Sequence, residues 1–126
     1  MSKTVFTQEH EWLRVEDNGL ITVGITDYAQ DHLGDLVYVQ LPESGKELGK
    51  GDEAAVIESV KTAGEILMPV SGVVVEANDS LADEPGKVNE DPLGGGWFFK
   101  FKPNAASDLD GFLDEAAYKA YIASLG

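Results

Sequence analysis

The segment from Glu53 to Gly72 constrains this chain more than any other. Glu53-Ala54-Ala55-Val56-Ile57 is small and β-branched and reads as a strand. Ile66-Leu67-Met68-Pro69-Val70 resumes apolar character, and Ser71-Gly72 breaks it. Between them lies Glu58-Ser59-Val60-Lys61-Thr62-Ala63-Gly64-Glu65. Two strand-like runs joined through small residues make a hairpin. Lys61 falls close to its tip, held out into water by its own backbone, where a macromolecular enzyme can reach it. Local pattern alone favours an ordinary solvated turn lysine. The same position also suits a covalently attached prosthetic group.

At 126 residues the natural expectation is one domain, 1–126. Nine basic against 23 acidic residues give a formal charge of −14, which argues against a nucleic-acid backbone or an anionic lipid surface as partner. Partners with basic docking faces fit better. The absence of cysteine excludes disulfides, thiolate metal sites and cysteine nucleophiles, so any thiol chemistry must arrive on a cofactor. His10 and His32 lack metal-like spacing, and no metal is expected. The first residues show no signal-peptide pattern, and no apolar run reaches membrane-spanning length. The expectation is a cytoplasmic protein, or a mature mitochondrial one whose leader has been removed.

Along the chain, Trp12–Glu16 and Leu20–Ile25 read as strands flanking Asp17-Asn18-Gly19, a hairpin signal. Ile21, Val23 and Ile25 alternate with Leu20, Thr22 and Gly24, predicting one buried face. Thr26 to Gly34 reads as a short helix capped by Thr26 or Asp27 and ended by Gly34. Asp35 to Leu41 alternates as another strand, and Val73 to Ala77 as a further one. Gly51–Val60 and Gly72–Ala77 look like a weak internal repeat, each a glycine turn leading into a Val-rich strand. Ala82 to Gly96 reads as irregular, and Trp97 to Lys102 as an alternating strand, with Trp97, Phe99 and Phe101 on a core face and Phe98, Lys100 and Lys102 on the other. Leu109, Phe112, Leu113, Ala116, Ala117, Ala120 and Tyr121 recur at helical spacing, predicting one or two amphipathic helices from about Ser107. The sum is a mainly β fold, a small sandwich or flattened barrel with a short early helix and a C-terminal helical segment.

Four blocks, in order, carry a resemblance. His10-Glu11-Trp12, then Gly24-Ile25-Thr26-Asp27-Tyr28-Ala29-Gln30 with Leu33-Gly34-Asp35, then Glu58-Ser59-Val60-Lys61 with Pro69-Val70-Ser71-Gly72, then Asn89-Glu90-Asp91-Pro92 with Gly96-Trp97 resemble the glycine cleavage system H proteins. The resemblance spans nearly the whole chain. Two details depart from the family pattern: Gly64 stands where a serine is usual, and no acid follows Gly72.

The resemblance implies a lipoyl/biotinyl-carrier-like hybrid motif with lipoate in amide linkage to Lys61. Glu58, Ser59 and Val60 would then form the recognition hairpin for lipoate-attaching enzymes. It further implies three enzyme partners: a pyridoxal-phosphate glycine decarboxylase, a tetrahydrofolate-dependent aminomethyltransferase and a dihydrolipoamide dehydrogenase. The chain would be their carrier, itself without catalytic residues, and a monomer suits that shuttling role. Glu11, His32 and Glu65 are candidates for a cleft that holds the loaded, cationic end of the arm. Alternatives are a lipoate relay, a biotinyl carrier (whose lysine is typically flanked by methionines, where this chain has Val60 and Thr62), and a small enzyme or binding module with Lys61 unmodified.

Overall fold

The computed structural model describes residues 3–8, 10–16, 19–104 and 112–125. Among these residues nine strands form two antiparallel sheets. The larger contains β1 (Lys3–Phe6), β2 (Glu11–Val15), β3 (Ile21–Ile25), β5 (Glu47–Leu48), β8 (Gly72–Ala77) and β9 (Phe99–Pro103), in the spatial order β1-β2-β3-β9-β8-β5. The smaller contains β4 (Leu36–Gln40), β6 (Glu53–Ser59) and β7 (Ala63–Leu67), with β6 central. The two halves of the suggested repeat thus enter different sheets: β6 the smaller, β8 the larger.

The sheets enclose one apolar layer that includes Leu13, Val23, Leu36, Val39, Ile57, Ile66, Met68, Val74, Phe99 and Phe101. Side chains alternate across a strand, so Trp12 points away from Leu13. It enters a second cluster with Phe6 and Tyr118, against which Trp97, Leu113, Tyr121 and Ile122 pack. Trp97 thus parts from Phe99 and Phe101, and Phe98 joins them in the main layer, because the strand begins only at Phe99. This second cluster explains why β3 is buried at all five positions rather than on one face only. In the β2–β3 register Trp12 faces Gly24, and a Cβ on Gly24 would stand 2.5 Å from the indole. The face expected to meet water is therefore covered by an aromatic ring.

The described residues also form four helices: α1 (Asp27–Leu33), α2 (Ser80–Asp83), α3 (Lys87–Glu90) and α4 (Glu115–Ser124). The first is the short helix read from the sequence. Thr26 caps it, its hydroxyl oxygen accepting from the Ala29 N–H, and Gly34 takes the positive φ of 81° that ends it. The stretch expected to be irregular instead holds α2 and α3, single turns that bury Leu81 and Val88.

The C-terminal helix begins at Glu115, capped by the Asp114 carboxylate, and Phe112 and Leu113 precede it. Its docking face is Tyr118, Tyr121 and Ile122, while Ala116, Ala117 and Ala120 are exposed. The predicted stripe was one position out of register, because alanine favours helix on any face and large rings do the packing. Ser107 and Leu109, like Asp17 and Asn18 of the first hairpin turn, lie outside the described residues.

Alternation also fails in β4. A register shift between Leu36 and Tyr38 leaves Val37 and Tyr38 both exposed, with Leu36 and Val39 buried. One extra residue in a ladder flips the side chains that follow it.

Candidate functional site

The β6–β7 ladder ends at the Glu58↔Ala63 pair, and the Ser59 N–H donates to the Thr62 carbonyl at 2.7 Å to close the tip. Ser59 Oγ then binds the turn from within. It accepts from the Lys61 N–H (3.2 Å) and the Thr62 N–H (3.1 Å) and donates to the Thr62 carbonyl (3.1 Å). From the other side the Val60 N–H donates to the Asp35 carbonyl at 3.0 Å, fastening the tip to the residue just before β4. Val60 itself is 66% exposed.

Lys61 is exposed at the end of this turn and makes no salt bridge among the described residues. Its stem crosses Gly34, the residue that terminates α1. Glu58 is exposed on the outer face of the smaller sheet, level with Tyr38 and Ala63.

The backbone beneath Lys61 is held by Asn89. Its side chain accepts from the Leu36 N–H (2.9 Å) and donates to the Gly34 carbonyl (2.9 Å) and Gln30 Oε1 (3.1 Å). One amide thus ties the end of α1 and the start of β4 to α3.

The three cleft candidates fall in different settings. Glu65 is exposed on the outer face of β7 beside Glu53. A hydrogen bond that the protonated Glu53 carboxyl donates to Glu65, then partial desolvation and the Glu65 charge, hold the Glu53 carboxyl above its ordinary range. Glu11 is only 6% exposed and shares the inward side of β2 with Leu13. The Thr7 hydroxyl lies 3.4 Å from Glu11 Oε1 and also accepts from the Glu11 N–H at 3.2 Å. Glu11 lines a recess of about 200 Å³ with Thr7, Lys50, Met68 and Phe112, at the end of β7 far from the tip. His32 is exposed, stacked on Tyr28 with centroids 4.1 Å apart, and Nδ1 donates to the Tyr28 carbonyl at 2.9 Å.

A chain of rings links His32 to the second cluster. Tyr28 also lies against His10 (4.5 Å), and His10 Nδ1 is 2.9 Å from the Tyr118 hydroxyl, which is 2.7 Å from Thr26 Oγ1. Burial, before any other influence, raises the pKa of the Tyr118 phenol. His10 has φ +69°, a left-handed backbone for a non-glycine residue. Another recess, of about 580 Å³ and lined by Gln40, Pro42, Lys46 and Glu53 among others, lies at the opposite end of β4 and β6 from Lys61.

Sequence reading missed Tyr118 and Asn89. Tyr118 stands three residues before Tyr121, a spacing that marks the packed face once α4 is known to begin at Glu115. Asn89 opens one of the four blocks, but its partners lie more than 50 residues away and leave no local trace. Among the described residues no helix is long and apolar enough to cross a membrane, and no three potential ligands gather as a metal site.

The chain has clear relatives. The profile of the family described as glycine cleavage H-protein matches residues 4–125. The glycine cleavage system H protein of Rhodospirillum rubrum is 56% identical over 125 residues, covering 99% of each chain. The glycine cleavage system H protein 1 of Pseudomonas aeruginosa is 60% identical over 118 residues, covering 94% of this chain and 92% of that one. In three dimensions the crystal structure of a glycine cleavage system H protein from Mycobacterium marinum superposes with a TM-score of 0.85 at 35% identity, covering 96% of this chain and 97% of that one. On sequence and on fold alike, the chain belongs to the glycine cleavage H-protein family.

Proposed function

We propose that the chain, acting as one domain, is the lipoyl-bearing carrier of glycine cleavage, with lipoate in amide linkage to Lys61. The observation that carries this reading is the setting of Lys61: exposed, without a salt bridge among the described residues, and lifted on a turn stapled by Ser59. An attaching enzyme meets an amine that need not be pulled from a partner. Lipoate supplies the disulfide and dithiol chemistry that a cysteine-free chain lacks. The enzymes served are a pyridoxal-phosphate glycine decarboxylase, a tetrahydrofolate-dependent aminomethyltransferase and a dihydrolipoamide dehydrogenase. They bring the catalysts, and the chain brings the tether.

The protein's part is presentation and shelter. A tethered group explores a small volume, which replaces free diffusion by a high local concentration at a docked enzyme. The recess beside Glu11 lies about 16 Å along β7 from the turn, at about 3.3 Å per residue, so only a long arm can span it. A buried carboxylate there suits a cationic group, and the exposed Glu65 on β7 and His32, stacked on Tyr28 in α1, are further candidates for contact.

The test is reconstitution with the three enzymes. Glycine-dependent CO2 release should require the lipoylated chain and disappear in Lys61→Arg. Turnover by Lys61→Arg would sink the proposal. Biotin on Lys61, or lipoate handed on to other carriers in place of glycine turnover, would favour the biotinyl or relay reading.

A further inference from the structure

We propose that Ser59 is a positioning residue for acyl attachment: it presets the turn so that the Lys61 amine is presented in one direction to the attaching enzyme. The inference rests on Lys61 being the acylated lysine. Three hydrogen bonds converge on one hydroxyl, and the Lys61 N–H supplies one of them. Ser59 Oγ therefore fixes the backbone of the reacting residue itself. The Val60 N–H to Asp35 carbonyl bond anchors the same turn from outside, and the stem then runs over Gly34. Between them these contacts fix the backbone on both sides of Lys61 and set its stem beside Gly34.

In the attachment step the unprotonated Lys61 Nζ attacks the carbonyl carbon of an activated carboxyl, an ester or mixed anhydride, held by the enzyme. A C–N bond forms, and the bond from that carbon to its leaving group breaks. The leaving group departs with the electron pair, and the amine gives up one proton. No oxidant or reductant is involved. The rate depends on how often the amine lies in line with that carbon. A preset turn raises that fraction, whereas docking affinity comes from the surrounding surface. Removing the hydroxyl should therefore lower kcat and spare KM.

The experiment measures steady-state lipoylation of the full chain by a lipoate ligase with ATP, at varied carrier concentration. Wild type, Ser59→Ala and Ser59→Thr are compared, with thermal melts of each. Ser59→Ala should lose about tenfold in kcat, from the loss of hydrogen bonds at an exposed turn, with KM within about twofold. Ser59→Thr keeps the hydroxyl and should recover to within about threefold. The melts should show every variant fully folded at the assay temperature. Equal kcat for Ser59→Ala and wild type overturns the inference. So does a Thr variant as slow as the Ala variant, or a loss confined to KM, which would make Ser59 a direct docking contact. A wild-type chain that is not lipoylated at all overturns instead the reading of Lys61 on which the inference stands.

Discussion

The stem of Lys61 lies across Gly34, so closely that a Cβ on Gly34 would stand 3.2 Å from Cε and 3.6 Å from Cδ. The same residue has φ 81° and ψ −166°, a backbone region that side chains other than glycine's rarely enter. Gly34→Ala should therefore cost about 1–3 kcal/mol of stability and displace the lysine as well. Denaturant unfolding checks the first effect. A shift in the rate at which Lys61 reacts with a small acylating reagent checks the second.

Asn89 holds the backbone on which that crossing depends. Asn89→Leu removes three hydrogen bonds and leaves the Leu36 N–H and the Gly34 carbonyl without this partner. The expected loss is about 2–4 kcal/mol in urea unfolding. Lipoylation should slow at temperatures where the variant is still folded, since the end of α1 and the start of β4 both border the turn.

Tyr118 fastens α4 to two other segments. Its ring stacks on Phe6 at 4.7 Å, and its hydroxyl meets His10 and Thr26. Tyr118→Phe keeps the stack and deletes both hydrogen bonds. It should destabilise the fold by about 1–3 kcal/mol. Tyr118→Ala should cost about 3–5 kcal/mol through the added cavity. A Phe variant as stable as wild type would mean that the hydroxyl pair contributes nothing.

Glu53 and Glu65 give the outer sheet face a pH dependence of known sign. The Glu53 pKa is raised in the folded protein, by the Glu65 hydrogen bond first. Its contribution is therefore fully present below the unfolded value and is lost as pH rises through the folded one. Glu16 behaves oppositely. The Thr22 hydroxyl, ahead of Arg14, lowers its pKa, so its contribution is present above the unfolded value and is lost as pH falls through the folded one. Glu53→Gln should raise the melting temperature slightly at pH 7, and the advantage should fade on acidification. A variant less stable than wild type at pH 7 would refute the carboxyl pairing.

Local chemistry carried most of what the sequence disclosed. The β6–β7 hairpin, the Thr26 cap and the Gly34 stop depend on neighbours within a few residues, and each was legible. What was hidden depends on contacts far along the chain. Burial of both faces of β3 comes from Trp12 and α4, and the true face of α4 comes from Phe6. The break in β4 alternation is a bulge that no residue type announces. The place of Lys61 near a tip shows in the pattern, whereas the Ser59 staple and the passage over Gly34 arise only in the folded turn. Glu11, Glu65 and His32 stand out in the sequence by their chemistry alone. The structure places them in a recess, on an outer sheet face and against Tyr28 respectively.

Mass spectrometry of the protein purified from its own cells tests the central claim most directly. Intact mass and peptide mapping should find a lipoyl adduct confined to the peptide containing Lys61, gaining two hydrogens on reduction. An unmodified Lys61 that a lipoate ligase also refuses to acylate would contradict the account.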